Sequence, residues 1–303
     1  VRKLFEILIS DILPVFSIMV LGFVMGRMKC VSHAEAAAVN RIAFLILQPA
    51  LIFPLVNSVD LSNFYFDAIA LYAIGQAFIF MFALAVGVFL LKCALAEAWL
   101  LAMATVFVNS LLYIWPISSL IYGNDGNLPI TAIVVWDATF TFAFFIITTD
   151  LIVNKGQSAT QSFARLLKNP VLITIFLGLC TNFFGIIASE PILVAAKFAG
   201  AGAAPLTLFA LGVILSGHKI FPTKKVTVIS FIKLCLLPLA IALLLQLGNR
   251  PIIWNDLLLL NAAGPSGAMA FALAMLYKVR TDTIAPVIIW TSILTLVLLA
   301  WLA

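Results

Sequence analysis

The chain reads as a succession of long apolar stretches with short polar punctuation between them. Runs of about 20 apolar residues are long enough to cross a bilayer. They fall at roughly 6–28, 39–58, 65–91, 98–122, 129–153, 170–188, 191–216, 226–247, 255–277 and 283–302, bounded by charged residues, Gly or Pro. The connections are short except for Asn154–Asn169 and a basic link around His218–Lys225. This pattern predicts an all-α polytopic membrane protein of ten spans with no inserted soluble domain.

Composition agrees. Hydrophobic residues make up 64% of the chain, charged residues only 10%, and the mean hydropathy is +1.21; a soluble chain carries roughly a quarter charged residues. Lys and Arg exceed Asp and Glu, 17 to 12, and the excess is expected in loops facing the bilayer surface, not on a nucleic-acid-binding face. The four cysteines (Cys30, Cys93, Cys180, Cys235) show no CxxC pair and no neighbouring His, so neither a metal nor a redox cofactor is expected. Arg2 and Lys3 precede an apolar run too long for a signal peptide and without a small-residue cleavage site, so the first span is expected to remain.

Two spans are interrupted by polar residues and prolines. Span 4 holds Asn109-Ser-Leu-Leu-Tyr-Ile-Trp-Pro116, and span 9 holds Asn261-Ala-Ala-Gly-Pro265-Ser266-Gly267. A proline in mid-helix removes a backbone hydrogen bond and clashes with the carbonyl one turn earlier, and broken backbone at membrane depth must be buried in protein or face a watery cavity. Interrupted helices in corresponding halves point to a transport site. Asn109, Ser110, Tyr113, Pro116, Asn261, Pro265 and Ser266 are therefore the candidate substrate-binding residues. Asp137, in mid-span beside Trp136, is the candidate for proton coupling, because an ionisable group at that depth is costly unless paired or used. Gln48 and Asn57 flank the span 2 proline run within reach of a cavity. Gln76 and Gln246 read as contacts between helices, Trp99 and Trp254 as headgroup-level rings, and His33 and His218 as loop residues.

The halves can be overlaid. Leu13-Pro14-Val15 with Leu21-Gly22 answers Asn169-Pro170-Val171 with Leu177-Gly178, and Pro49-Ala-Leu-Ile-Phe53 answers Pro205-Leu-Thr-Leu-Phe209. Pro116 answers Pro265, and Trp136 with Thr141 answers Trp290 with Thr295. Residues 1–153 and 154–303 are thus expected to be two five-span repeats. Five is odd, so the second copy enters from the opposite side, an inverted-topology repeat. On one face the loops carry Arg27, Lys29, Arg41, Lys92, Lys155, Arg165, Lys168, Lys219, Lys224, Lys225, Lys233, Lys278 and Arg280; the other face has Arg2, Lys3, Lys197 and Arg250. Cytoplasmic loops retain positive charge, so both termini are expected outside the cytoplasm, in a cell inner (plasma) membrane.

These residues resemble the auxin efflux carrier family, which includes plant auxin exporters and bacterial malonate or malate permeases. The likeness is carried by Asn109 seven residues before Pro116, by Pro265, Gly267, Phe271, Ala274 and Tyr277, by Leu13-Pro14-Val15-Phe16 with Leu21-Gly22, and by Asn40-Arg41 through Pro49 and Phe53. It implies a fold similar to bile-acid symporters and sodium/proton antiporters. In that fold spans 1, 2, 6 and 7 form a scaffold, spans 3–5 and 8–10 move, broken spans 4 and 9 cross at mid-membrane, and spans 2 and 7 form a homodimer. It also implies transport of weak organic anions. The physics agrees, because interrupted helices present unpaired N–H groups and a positive dipole to a carboxylate. One departure is Ile114, where the family has Gly two residues before the proline; a branched side chain there makes a close crossing harder.

Other classes fare less well. An intramembrane enzyme needs a catalytic set at depth, and both histidines lie in loops. A ligand sensor that keeps the fold without moving its ligand fits the altered span 4 motif. A sodium-coupled symporter needs several oxygens converging at the crossing, for which Asn109, Asn261 and Asp137 are the candidates.

Overall fold

The structure, a computed structural model, describes residues 6–58, 64–123, 127–153, 169–186, 188–218, 220–280 and 282–302. The expected positions Arg2, Lys3, Lys155, Arg165, Lys168 and Lys219 lie outside them. The described residues form helices α1 (Leu8–Arg27), α2 (His33–Asn57), α3 (Phe66–Leu90), α4 (Leu95–Val106), α5 (Ser110–Tyr122), α6 (Leu128–Val153), α7 (Pro170–Phe183), α8 (Glu190–Ser216), α9 (Lys224–Leu247), α10 (Ile252–Ala262), α11 (Met269–Leu276) and α12 (Ile284–Leu302). Among the described residues there is no strand; a single isolated bridge joins Val108 and Ser266. Seven of these helices, α1, α2, α3, α6, α8, α9 and α12, are long and apolar enough to cross a membrane. The stretches read as spans 4 and 9 are each divided, into α4 with α5 and α10 with α11.

The prolines act differently from the expectation. Four π-turns end two residues before a proline: Leu8–Ile12 before Pro14, Ala43–Leu47 before Pro49, Ser110–Ile114 before Pro116, and Ile232–Leu236 before Pro238. A proline has no N–H to give and its ring presses on the carbonyl four residues back. Widening the preceding turn to i→i+5 bonding redirects that carbonyl, so the helix runs on. Pro116 therefore sits inside α5, and the interruption of span 4 lies seven residues earlier, at Phe107–Asn109.

Close helix approaches are made at glycines. A Cβ on Gly22 of α1 would lie 2.1 Å from the Phe209 carbonyl oxygen of α8, and one on Gly212 of α8 would lie 2.1 Å from the Met19 carbonyl oxygen, so these two backbones touch without side chains between them. On the other flank α7 packs on α2, with Gly178 against Val56. A second group of contacts links α3 to α4 and α9, and α9 to α10. At its centre α4 is buried on all sides, with Leu100, Leu101, Ala102, Met103 and Ala104 wholly inaccessible. Large apolar side chains such as Phe89, Phe176 and Phe198 are exposed instead, the surface a lipid-facing helix presents.

Lys233 corrects the reading of the loop charges. It is fully buried within the π-turn of α9 and is no surface lysine. Trp254 is likewise buried in an aromatic cluster with Phe64 and Tyr65, and Trp99 packs against Phe80 and Phe145.

Candidate functional site

The two interruptions meet. The Asn109 N–H donates to the Pro265 carbonyl at 3.1 Å and the Gly267 N–H donates to the Phe107 carbonyl at 2.7 Å, on either side of the Val108–Ser266 bridge. Residues distant in sequence thus satisfy each other's backbone where no helix does so, as membrane depth requires. The approach depends on glycines: a Cβ on Gly267 would stand 2.9 Å from the Phe107 ring and 3.1 Å from its carbonyl oxygen, and one on Gly264 would stand 2.6 Å from the Ile114 side chain. Ile114, expected to hinder close approach, is fully buried and fills the space that Gly264 leaves.

Breaking two helices creates two carbonyl ends and two amide ends, and the sequence treats them differently. At the carbonyl end of α4, Gln76 Nε2 donates to the Val106 oxygen at 3.2 Å and the Ser266 hydroxyl donates to the Ala104 oxygen at 2.7 Å. At the carbonyl end of α10, Lys233 Nζ donates to the Ala262 oxygen at 2.7 Å and the Thr295 hydroxyl donates to the Ala263 oxygen. Both negative dipole ends are therefore closed by side-chain donors, one of them a cation. The amide ends stay open. Among the described residues, the first-turn N–H groups of α5, on Ser110, Leu111 and Leu112, and of α11, on Met269, Ala270 and Phe271, have no backbone acceptor.

Beside these amide ends lies a cavity of about 760 Å³. One wall is formed by Asn109 to Leu112, Gly267 to Met269, and the Asp137 face of α6; the facing wall comes from α2 and α8, through residues such as Gln48 and Thr207. His33 at the start of α2, Arg41 about two turns along it, and His218 just past the end of α8 line its outer part. Burial lowers the basicity of His218, whose ring stands edge-on to Phe271 at 5.3 Å and whose carbonyl accepts from Arg27 at 3.1 Å.

The candidate residues divide at this cavity. Asn109, Ser110 and Asp137 line it, whereas Tyr113, Pro116, Asn261, Pro265 and Ser266 do not. Tyr113 is buried with its hydroxyl unpartnered. The Asn261 side-chain amide donates to the Tyr72 hydroxyl at 2.8 Å. Ser266 spends its hydroxyl on Ala104, and its N–H donates to Thr291 Oγ1 at 3.2 Å. Gln48 reaches the cavity; Asn57 instead donates to Thr181 Oγ1 at 2.8 Å.

Two further residues shape this region, Gln76, which the sequence reads as a contact between helices, and Lys233, which it reads as a loop charge. Gln76 is a hub: besides Val106 it donates to Asp137 Oδ1 at 2.8 Å, and its own oxygen accepts from Trp136 Nε1 at 3.0 Å. Lys233 brings a charge that interacts with Asp137 across the packed helices without a direct ion pair. Its signal was available, since a lysine well inside the 226–247 run is as costly as a mid-span aspartate. Thr141, one turn further along α6, also interacts with the Asp137 carboxyl.

Comparison with known proteins finds relatives among membrane transporters. The chain is 25% identical over 300 residues to a Rhizobium meliloti (strain 1021) protein named "Putative malonate transporter", covering 94% of this chain and 91% of that one. It is 23% identical over 292 residues to an "Uncharacterized transporter" of Methanothermobacter thermautotrophicus, covering 95% of both. The family described as "Membrane transport protein" matches residues 7–162 and 154–302. With its paired helix breaks and the motifs of the auxin efflux carriers, the chain belongs to this membrane transport protein family.

Proposed function

We propose that the protein is a secondary carrier of small organic anions, carboxylates in particular, that binds them at the paired breaks and moves them by alternating access. The observation that carries this reading is the asymmetry of the four helix ends: both carbonyl ends are capped, and both amide ends stand open beside the cavity. Open amide ends with a positive dipole favour a carboxylate without a lysine or arginine at the binding point. Asn109 and Ser110 supply side-chain polarity at the same place. The name of the Rhizobium relative supports the same class of substrate.

The moving body in this reading is α3–α6 with α9–α12, rocking against a scaffold of α1, α2, α7 and α8, with the cavity between the two groups. A ten-span inverted repeat is supported by matched roles. Gly22 of span 1 packs on span 7 and Gly178 of span 6 on span 2, while Gln76 of span 3 caps span 4 and Lys233 of span 8 caps span 9. Without Lys233 the positive-inside bias of the loops still favours both termini outside, and Arg41, His33 and His218 lining the cavity favour a cytoplasmic mouth. The homodimer through spans 2 and 7 stays part of the proposal on family resemblance alone.

For coupling, the proton is the economical choice, carried by the Asp137 carboxyl, which is buried at mid-span and lines the cavity. Sodium coupling is disfavoured, because sodium sites of such carriers use unwound carbonyls and helix C-terminal ends, and here the Lys233 ammonium and neutral donors already hold them. The test is counterflow in proteoliposomes with malonate, malate and other small carboxylates at two pH values, native chain beside Asn109→Ala. Saturable exchange of an acid that the variant loses supports the carrier. Saturable binding without any exchange would replace it with the sensor reading.

A further inference from the structure

The outer cavity contains a feature that binding at the helix breaks does not use. One face of α2 lines the cavity at His33, Asn40, Arg41, Phe44 and Gln48, a helical spacing that puts polar groups along an otherwise apolar wall. Arg41 is exposed, and among the described residues it makes no hydrogen bond and no ion pair. It is the one permanent cation among the described residues lining the cavity; the other ionisable ones are His33, His218 and Asp137. The neighbouring charged groups are engaged: Arg27 is held on the His218 carbonyl, and the Glu35 carboxylate is turned back onto Ser32 to cap the helix, so it does not neutralise Arg41.

We propose that Arg41 captures the incoming anion at the mouth and makes the carrier prefer small dicarboxylate dianions over monoanions entering from the basic face. The inference rests on the anion-carrier reading and adds the charge class of its substrate. A cation in a cleft with low-dielectric walls focuses its field along the cleft and raises the local concentration of counter-charge. Arg41 lies seven residues, about 10 Å along the axis, outward from Gln48. It therefore acts through its field on an anion inside the cavity while the helix ends make the direct contacts, and a dianion gains twice what a monoanion does. The effect belongs in KM and in the salt dependence, and on one side of the membrane only.

The experiment compares the native chain, Arg41→Gln and Arg41→Lys in inside-out and right-side-out membrane vesicles, with malonate and monomethyl malonate as probes of similar size and different charge. For entry from the basic face, Arg41→Gln is expected to raise the malonate KM by about threefold to tenfold at low salt, by less for the monoester, with Vmax kept. Raising the ionic strength should erode the native advantage, and Arg41→Lys should retain most of it. An unchanged KM overturns the proposal, as does an equal rise for both probes or from both faces, which would mark a packing role. If the native chain exchanges no carboxylate in either orientation, the carrier reading itself has failed, and the two failures are distinguishable.

Discussion

Lys233 and Ala262 are joined by a 2.7 Å hydrogen bond from the ammonium to the last carbonyl of α10, in a place with no solvent access. The lysine closes a helix C-terminal dipole, and among the described residues it makes no ion pair with Asp137, which feels its charge only at a distance. Removing one member of such a set strands the others. Lys233→Met is accordingly expected to lower stability by about 2–4 kcal/mol, measured as the thermal or denaturant midpoint of the purified protein. Adding Asp137→Asn should return part of the loss, with a coupling of about 1 kcal/mol or more in the double-mutant cycle. Strict additivity would show that the two charges do not interact.

Gly267 sets the distance between the breaks. An added Cβ would meet the backbone oxygens of Phe107 and Val108 at 3.1 and 3.2 Å, which no side-chain rotation relieves. Gly267→Ala is expected to cut transport by roughly tenfold or more, since small displacements of a binding constellation are costly, while the protein still reaches the membrane and purifies as a folded species. Native transport rates in this variant would mean that the junction tolerates separation.

Ser266 distinguishes architecture from binding. Its hydroxyl is committed to the α4 carbonyl end and does not line the cavity. Ser266→Ala should cost about 1 kcal/mol of stability and leave KM within about twofold, a change of well under 1 kcal/mol in binding. A large rise in KM without loss of stability would return Ser266 to the substrate site.

Asp137→Asn keeps an oxygen for Gln76 but removes the titratable carboxyl. In the proton-coupled reading the variant exchanges anion for anion in counterflow yet no longer responds to an imposed pH gradient. A gradient response equal to that of the native chain assigns coupling to another group.

The membrane class, the two interrupted regions and the mid-span burial of Asp137 were legible in the sequence, because burying polar atoms in hydrocarbon leaves a mark in any apolar run. The position of the break was not. Pro116 looks like a helix breaker, but the π-turn Ser110–Ile114 absorbs it, and hydrogen-bonded pairing with Pro265 and Gly267 shifts the opening to Phe107–Asn109. Lys233 reads with the loop lysines although it lies inside the 226–247 run, and what no local pattern shows is its partner, the Ala262 carbonyl at the end of α10. Ile114 shows the limit most directly: its fit is decided by Gly264, a residue remote in sequence whose missing side chain no local pattern reveals.

The most direct test of the central claim is a cryo-EM structure of the protein with bromomalonate, whose bromine marks the ligand. The account predicts density at the inner end of the cavity, with a carboxylate within hydrogen-bonding distance of the Ser110–Leu112 amides and the Asn109 side chain. A ligand found only beside Arg41 at the mouth, or outside this cavity, would contradict it.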